Sequence, residues 1–226
     1  KKIVNNKTRA VIIVSLYGQV SRDIFKIKKF CKERRIWLIE DAAQSFGGKF
    51  ENKFSCNIAD ISTTSFFPTK SLGGYGDGGA VFTNNKKLAN KIRFIKQNGT
   101  LNKVNFKFLG RNARLDELQA VLLLIRLRDF SKTLSAKRQT ANYYISNLKL
   151  HFPFYLPNEN FPSYSLFTLR HKKRDLIINF LKKSGIASNV YYRKNLYELK
   201  FLSKNKSILK NSLKASREVF SIPIHE

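Results

Sequence analysis

Within its first 41 residues the chain writes out a strand, a helix and a second strand, and so tight a succession admits few folds. Arg9 to Leu16 (Arg-Ala-Val-Ile-Ile-Val-Ser-Leu) is a continuous apolar run, the pattern of a strand buried on both faces. Tyr17-Gly18 ends it, and Ser21 is placed to cap a helix over about Asp23 to Glu33. Ile24, Ile27 and Phe30-Cys31 would line that helix's inner face. Ile36 to Ile39 is the next strand and runs straight into Glu40-Asp41. A strand–helix–strand unit of this length is a βαβ crossover, which makes the two strands parallel. Functional groups in such sheets collect at the carboxyl ends of the strands, where Asp41 falls.

Further strands are expected at Ile61 to Phe67 and Gly79 to Thr83, then a helix over Lys87 to Lys96 that stops at Asn98-Gly99. Residues 100–113 read as a loop. Leu115 to Arg128 is an amphipathic helix carrying Leu118, Val121, Leu122, Ile125 and Leu127, and a second helix follows at Leu134 to Leu148. His151 to Pro162 holds three of the five prolines and marks a domain boundary. The expected division is a large domain over 1–130, a connecting helix over 131–150 and a smaller, incomplete C-terminal domain over 151–226. In that last part Tyr164 to Leu169 and Val190 to Tyr192 read as strands, and Arg174 to Lys183 and Ile208 to Phe220 as helices, an α+β pattern.

The chemistry concentrates in three segments: Ile39-Glu40-Asp41-Ala42-Ala43-Gln44-Ser45, Thr64-Ser65-Phe66-Phe67-Pro68-Thr69-Lys70, and Gly73-Gly74-Tyr75-Gly76-Asp77-Gly78-Gly79. An acid closing a buried strand, a hydroxyl five residues before a lysine and a glycine-rich turn behind it suit pyridoxal phosphate. The lysine offers an amine for its aldehyde, Asp41 a carboxylate for the pyridinium nitrogen, and Ser65 a hydroxyl for the phosphate. Two alanines after Asp41 leave room for a flat ring. Taken singly, Asp41 reads as a helix N-cap, Ser65 as an ordinary strand serine and Lys70 as one surface lysine among many; the combination is what points to a site. Glu40 is assigned a structural role. Thr69-Lys70-Ser71 is not a P-loop, because the glycines that motif needs are absent. The glycine run is a poor dinucleotide fingerprint too, since a strand follows it.

The order and spacing of these segments resemble the DegT/DnrJ family of sugar aminotransferases, pyridoxal phosphate enzymes of the aspartate aminotransferase fold. Gly110-Arg111-Asn112-Ala113-Arg114 matches that family's Gly-x-Asn-x-Arg segment, and Asp116-Glu117-Leu118-Gln119-Ala120 matches the helix after it. The resemblance implies an α/β fold: the remnant of a large cofactor-binding domain with a parallel-rich sheet, plus a small α+β domain. It implies Lys70 as the residue that joins the cofactor and shuttles the proton, and Asp41, Gln44 and Ser65 as cofactor contacts. It also implies Asn112 as a phosphate contact to a partner subunit, hence a homodimer with shared active sites. The substrates would be a nucleotide-linked keto-sugar and an amino-acid donor, expected to be glutamate. The product would serve amino-sugar and surface polysaccharide (lipopolysaccharide) biosynthesis in the cytoplasm. Tyr191 and Arg193 stand where the family often has histidine and proline, and Tyr197 where another histidine is common, which leaves the sugar open. The family's upstream phosphate-binding Gly-Thr/Ser-x-Ala segment and its ring-stacking aromatic have no match here, so an N-terminally truncated chain is expected.

Three other readings stand beside this one. A sugar dehydratase of the same family would carry histidine in place of Lys70. An inactive or regulatory relative would be expected to lose Lys70 or Asp41. A nucleic-acid binder would gather its basic residues, yet the 43 lysines and arginines behind the net charge of +28 are spread along the whole sequence. Two cysteines and three well-separated histidines argue against a disulfide scaffold and a metal site. No apolar run approaches the roughly 20 residues of a membrane helix.

Overall fold

The computed structural model describes residues 3–148, 160–202 and 209–225, and the chain divides into two compact units. The first comprises residues 1–134 with 158–165, the second residues 135–157 with 166–226. Of the boundary expected at His151 to Pro162, residues 151–159 lie outside the described residues.

In the first unit the chain runs through β1 (Ala10–Val14), α1 (Ile24–Glu33) and β2 (Trp37–Asp41). The short strands β3 (Lys49–Phe50) and β4 (Lys53–Phe54) follow, then β5 (Ile61–Ser65), β6 (Gly79–Phe82) and α2 (Lys86–Lys96). The main sheet has the order β1-β2-β5-β6; β1, β2 and β5 are parallel, and β6 is antiparallel to β5. The βαβ unit expected from the sequence is therefore present. Asp23 occupies the N-cap of α1 without a side-chain hydrogen bond. Ser21, expected as the cap, lies two residues too early and contributes only its carbonyl, which accepts from the Ile24 N–H at 3.1 Å.

Alternation along the strands sorts the sheet's two faces. Leu38, Glu40, Ser62 and Thr64 are buried on the face under α1, where Val20, Ile24, Cys31, Ile36, Leu38, Phe50 and Ile58 form one core. The opposite face carries Ile12 (67% exposed), Val14 (51%), Trp37 (45%) and Val81 (47%). The expectation that β1 is buried on both faces is thus corrected: β1 is one of the sheet's two edge strands, and only the side bearing Val11 and Ile13 packs on the core.

After α2 comes α3 (Glu117–Asn147), a single helix where two were expected. The residues between the expected helices, Asp129-Phe130-Ser131-Lys132-Thr133, include no glycine or proline to stop it, and Lys132 pairs with Asp129 one turn back at 2.8 Å. Leu123, Phe130 and Leu134 of α3 join Leu72 in a second core, with Phe46, Phe66 and Leu115 packed against it. The first unit closes with β7 (Asn160–Phe161), which pairs antiparallel with β3.

The second unit holds β8 (Phe167–Arg170), α4 (Arg174–Lys183), α5 (Lys210–Glu218) and β9 (Val219–Ile222), with β8 and β9 antiparallel. Phe167, Leu169, Val219 and Phe220 are buried there, and Tyr144 lies against Phe167 with ring centroids 5.0 Å apart. The final helix stops two residues before Phe220, because the chain turns straight into β9. The strand expected at Val190 to Tyr192 is absent; only Asn189 bridges to Ser221. No helix among the described residues is long and apolar enough to cross a membrane.

Candidate active site

Glu40 and Asp41 are neighbours in sequence, and the period of two sends them to opposite faces of β2. Glu40 is fully buried. Its carboxyl accepts from Ser15 Oγ and Ser55 Oγ, each at 2.8 Å, from the Cys56 N–H at 2.9 Å and from Ser62 Oγ at 3.3 Å. A Ser45–Ser55 hydroxyl contact of 2.6 Å extends the network. Such a cluster satisfies a buried acid internally and leaves it nothing to offer a ligand. Beside it the Cys56 thiol is pushed up to about 12, first by burial and then by the Glu40 charge.

Asp41 sits at the carboxyl end of β2 on the open face, with Val14 and Thr63 as its neighbours across the sheet. Its Oδ1 accepts from the Ala43 N–H at 3.1 Å, and among the described residues no group is hydrogen-bonded to Oδ2. Ser65, at the end of β5, shares that face. Its Oγ accepts from the Phe67 N–H at 3.2 Å, which leaves the hydroxyl hydrogen free to donate. Gln44 lies in the turn after β2. Its Oε1 is taken by the Tyr17 N–H at 2.8 Å, so its amide hydrogens are what remain for a ligand.

Lys70 ends a tight turn whose second position is Pro68, a residue pre-set for it: the Lys70 N–H donates to Phe67 O at 2.9 Å. The Gly74 N–H then donates to Phe66 O at 2.7 Å, closing residues 66–74 into a loop behind Ser65. Gly73 is required there, since a Cβ would stand 2.3 Å from Pro68 O. The Lys70 ammonium has no hydrogen bond or ion pair among the described residues. Beside it the Ser71 hydroxyl is buried without a partner.

Sequence reasoning missed what grips this loop from α3. Gln119 Oε1 accepts from the Tyr75 N–H at 2.8 Å, and Arg126 Nη1 donates to Gly73 O at 2.7 Å. Two polar residues at helical spacing, flanking the buried Leu123 on a stripe that continues to Phe130, were the available signal. Asn112 is placed elsewhere. It is exposed in the loop after α2, bridged to Gln97 through its backbone, and its side chain has no hydrogen bond among the described residues. In the second unit Tyr191 Oη accepts from Asn189 Nδ2 at 3.0 Å, Arg193 lies 3.7 Å from Asp175, and the Tyr197 hydroxyl is buried without a partner.

The donor set fits pyridoxal phosphate. A carboxylate oxygen, a hydroxyl hydrogen and an amine, none engaged among the described residues, lie on neighbouring strand ends and the loop that follows. These are the groups that cofactor requires for its ring nitrogen, phosphate and aldehyde.

The α/β architecture, with its parallel-rich sheet, is that of the pyridoxal phosphate-dependent aminotransferase fold. The profile of the DegT/DnrJ/EryC1/StrS aminotransferase family matches residues 1–226, and the chain belongs to that family, whose aminotransferases depend on pyridoxal phosphate. It is 38% identical over 225 residues to the UDP-2-acetamido-2-deoxy-3-oxo-D-glucuronate aminotransferase of Pseudomonas aeruginosa, covering 98% of this chain and 62% of that protein. To a pleiotropic regulatory protein of Geobacillus stearothermophilus it is 37% identical, over 98% of this chain and 61% of that one. Among solved structures, DesV of S. venezuelae in complex with a ketimine intermediate superposes with a TM-score of 0.93 at 29% identity, over 99% of this chain and 62% of that one. The chain thus spans about three-fifths of the length of these relatives.

Proposed function

We propose that the whole protein is a pyridoxal phosphate-dependent aminotransferase that moves an amino group from an amino acid, glutamate by expectation, to a nucleotide-linked keto-sugar. The observation that carries this reading is the shared open face of Asp41 and Ser65, with the unengaged Lys70 on the loop directly behind Ser65. The similarity to a UDP-keto-glucuronate aminotransferase supports the substrate class.

When bound, the cofactor would supply an electron-accepting ring and an aldehyde that carries the amine between substrates. Asp41 Oδ2 would hold the ring nitrogen protonated and so keep the ring electron-poor. Ser65 would donate its hydroxyl hydrogen to the phosphate, and Gln44 its amide hydrogens to the ring's surroundings. Lys70 Nζ would take the proton from the donor's carbon beside the nitrogen and, in the second half, return one to the carbon that was the sugar ketone. Glu40 takes no part, because its acceptor capacity is spent on serine hydroxyls and a backbone amide.

The fully exposed Leu109 and the 80%-exposed Leu118 flank the loop that carries the unengaged Asn112. We read this surface as the seat of a partner subunit, with Asn112 reaching the partner's phosphate site. Cytoplasmic amino-sugar synthesis for surface polysaccharide is the pathway this chemistry would serve. A regulatory role, as the name of the Geobacillus relative suggests, would require Lys70 and Asp41 to be retained for folding alone; among the described residues Lys70 has no hydrogen bond or ion pair, and Asp41 holds only the Ala43 N–H.

The test is an absorbance spectrum of the full-length protein with added pyridoxal phosphate, run beside Lys70→Ala and Asp41→Asn. A visible band bleached by borohydride and absent from Lys70→Ala supports the assignment. An identical spectrum for wild type and Lys70→Ala would overturn it. Conversion of a UDP-linked 3-keto sugar in the presence of glutamate then tests the substrate class.

A further inference from the structure

We propose that Gln119 and Arg126 are positioning residues: together they clamp the loop bearing Lys70, so that α3 fixes where the lysine's amine stands. The inference rests on the reading of Lys70 given above and adds two residues to it.

The loop from Phe66 to Gly74 is closed at its base by backbone hydrogen bonds, and Leu72 seats its far side in the second core. Its return limb, Gly73-Gly74-Tyr75-Gly76, is glycine-rich, and glycine backbone is the most costly to hold in one conformation. Two side chains hold it. Gln119 accepts the Tyr75 N–H, and Arg126 donates to the Gly73 carbonyl, at 2.8 and 2.7 Å. They stand seven residues apart on α3, two helical turns, and Leu123 between them packs on Leu72 of the same loop. One stripe of one helix therefore presents an acceptor, an apolar knob and a cationic donor to one short segment.

The fit leaves no slack. A Cβ added at Gly74 would lie 2.8 Å from Gln119 Oε1, and one at Gly76 would lie 3.1 Å from Gln119 Nε2. The glycines thus admit the Gln119 amide against the backbone. The Arg126 contact is charge-assisted, the stronger kind of hydrogen bond. Since α3 is anchored through Leu123, Phe130 and Leu134 in the core, the clamp ties the lysine loop to a helix packed on that core. A reacting amine gains most from such anchoring, because displacement by about 1 Å can cost on the order of a hundredfold in rate.

The test compares Gln119→Leu, Gln119→Glu and Arg126→Ala in the full-length protein. Leucine fills the space but cannot accept, whereas a glutamate oxygen can. In the cofactor-free protein, hydrogen exchange at the Gly74 and Tyr75 amides should quicken by about five- to tenfold in Gln119→Leu, as expected for one lost hydrogen bond, and stay near wild type in Gln119→Glu. On adding pyridoxal phosphate, the Lys70-dependent band should form more slowly in Gln119→Leu and Arg126→Ala, and at the normal rate in Gln119→Glu. Should Gln119→Leu fail to fold, Arg126→Ala carries the same two readouts. Unchanged exchange, or faster exchange with an unchanged rate of band formation, overturns the clamp while leaving the cofactor assignment standing. A band that survives in Lys70→Ala overturns the cofactor assignment and, with it, the clamp's purpose.

Discussion

At the residue scale, the adjacent acids Glu40 and Asp41 show how one peptide step separates a buried, fully bonded acid from one on the open face. Glu40 is the acceptor for four donors in a buried pocket, and three of these are serine hydroxyls able to rotate toward new partners. The fourth, the Cys56 N–H, cannot turn. Glu40→Leu should therefore destabilise the protein by about 2–4 kcal/mol in urea unfolding, since it strands polar groups in the core. Asp41→Asn keeps the single hydrogen bond to Ala43 and should change stability by less than about 0.5 kcal/mol, while weakening cofactor binding. Equal destabilisation by the two substitutions would remove the distinction drawn here. The same pocket sets an alkaline limit. The Cys56 thiol titrates from its ordinary 9.0 in the unfolded chain but near 12 in the folded one, so its contribution is intact below pH 9 and is lost as pH rises toward 12. Stability should fall across that window, and Cys56→Ala should fall less steeply; parallel slopes would contradict the assignment.

At the element scale, the helices were legible where side chains set their ends. Asn85 caps α2 by accepting from the Lys87 and Leu88 amides at 3.0 and 3.1 Å, and Asn85→Ala should cost about 1 kcal/mol in thermal or urea unfolding. No loss on that substitution would mean the cap is redundant. The βαβ unit and the strand ends carrying Asp41 and Ser65 were readable because apolar runs and their polar stops obey a short period. Three features were not. The junction of the two expected helices in α3 reads polar, but polarity without glycine or proline does not end a helix. β9 follows α5 with no connecting residue, so no turn signal separates them. The apolar run of β1 reports what that strand tolerates on each face, and an open face with Ile12 and Val14 looks the same in sequence as a covered one. The site was legible in part for the same reason. Lys70, Ser65 and Asp41, the proposed cofactor contacts, are picked out by residue type and spacing. Gln119 and Arg126, however, act across 44 and 53 residues of sequence, and only the folded loop reveals their targets.

At the scale of the whole molecule the dominant property is charge: 43 basic against 15 acidic residues, a net of +28. There are too few acids to neutralise the bases locally. Several of the pairs that do form, such as Lys26 with Asp23 at 3.4 Å and Lys132 with Asp129 at 2.8 Å, lie at the surface, where each is worth little, and Arg170 with Glu218 at 2.6 Å is a more sheltered exception. Self-repulsion between like charges is thus the main electrostatic term, and it reaches across the molecule when salt is scarce. The screening length is about 30 Å at 0.01 M salt and about 10 Å at 0.1 M. The thermal midpoint should accordingly rise as sodium chloride increases over that range, whereas a fold held by its ion pairs would show a falling midpoint. The same field draws in anions. For the proposed reaction, the KM of a nucleotide-linked keto-sugar, with its two phosphate charges, should climb with salt more steeply than the KM of glutamate, with a net charge of one. KM values that stay constant with salt for both would show that the positive surface guides neither substrate to the Lys70 site, leaving the basic composition without a part in the chemistry.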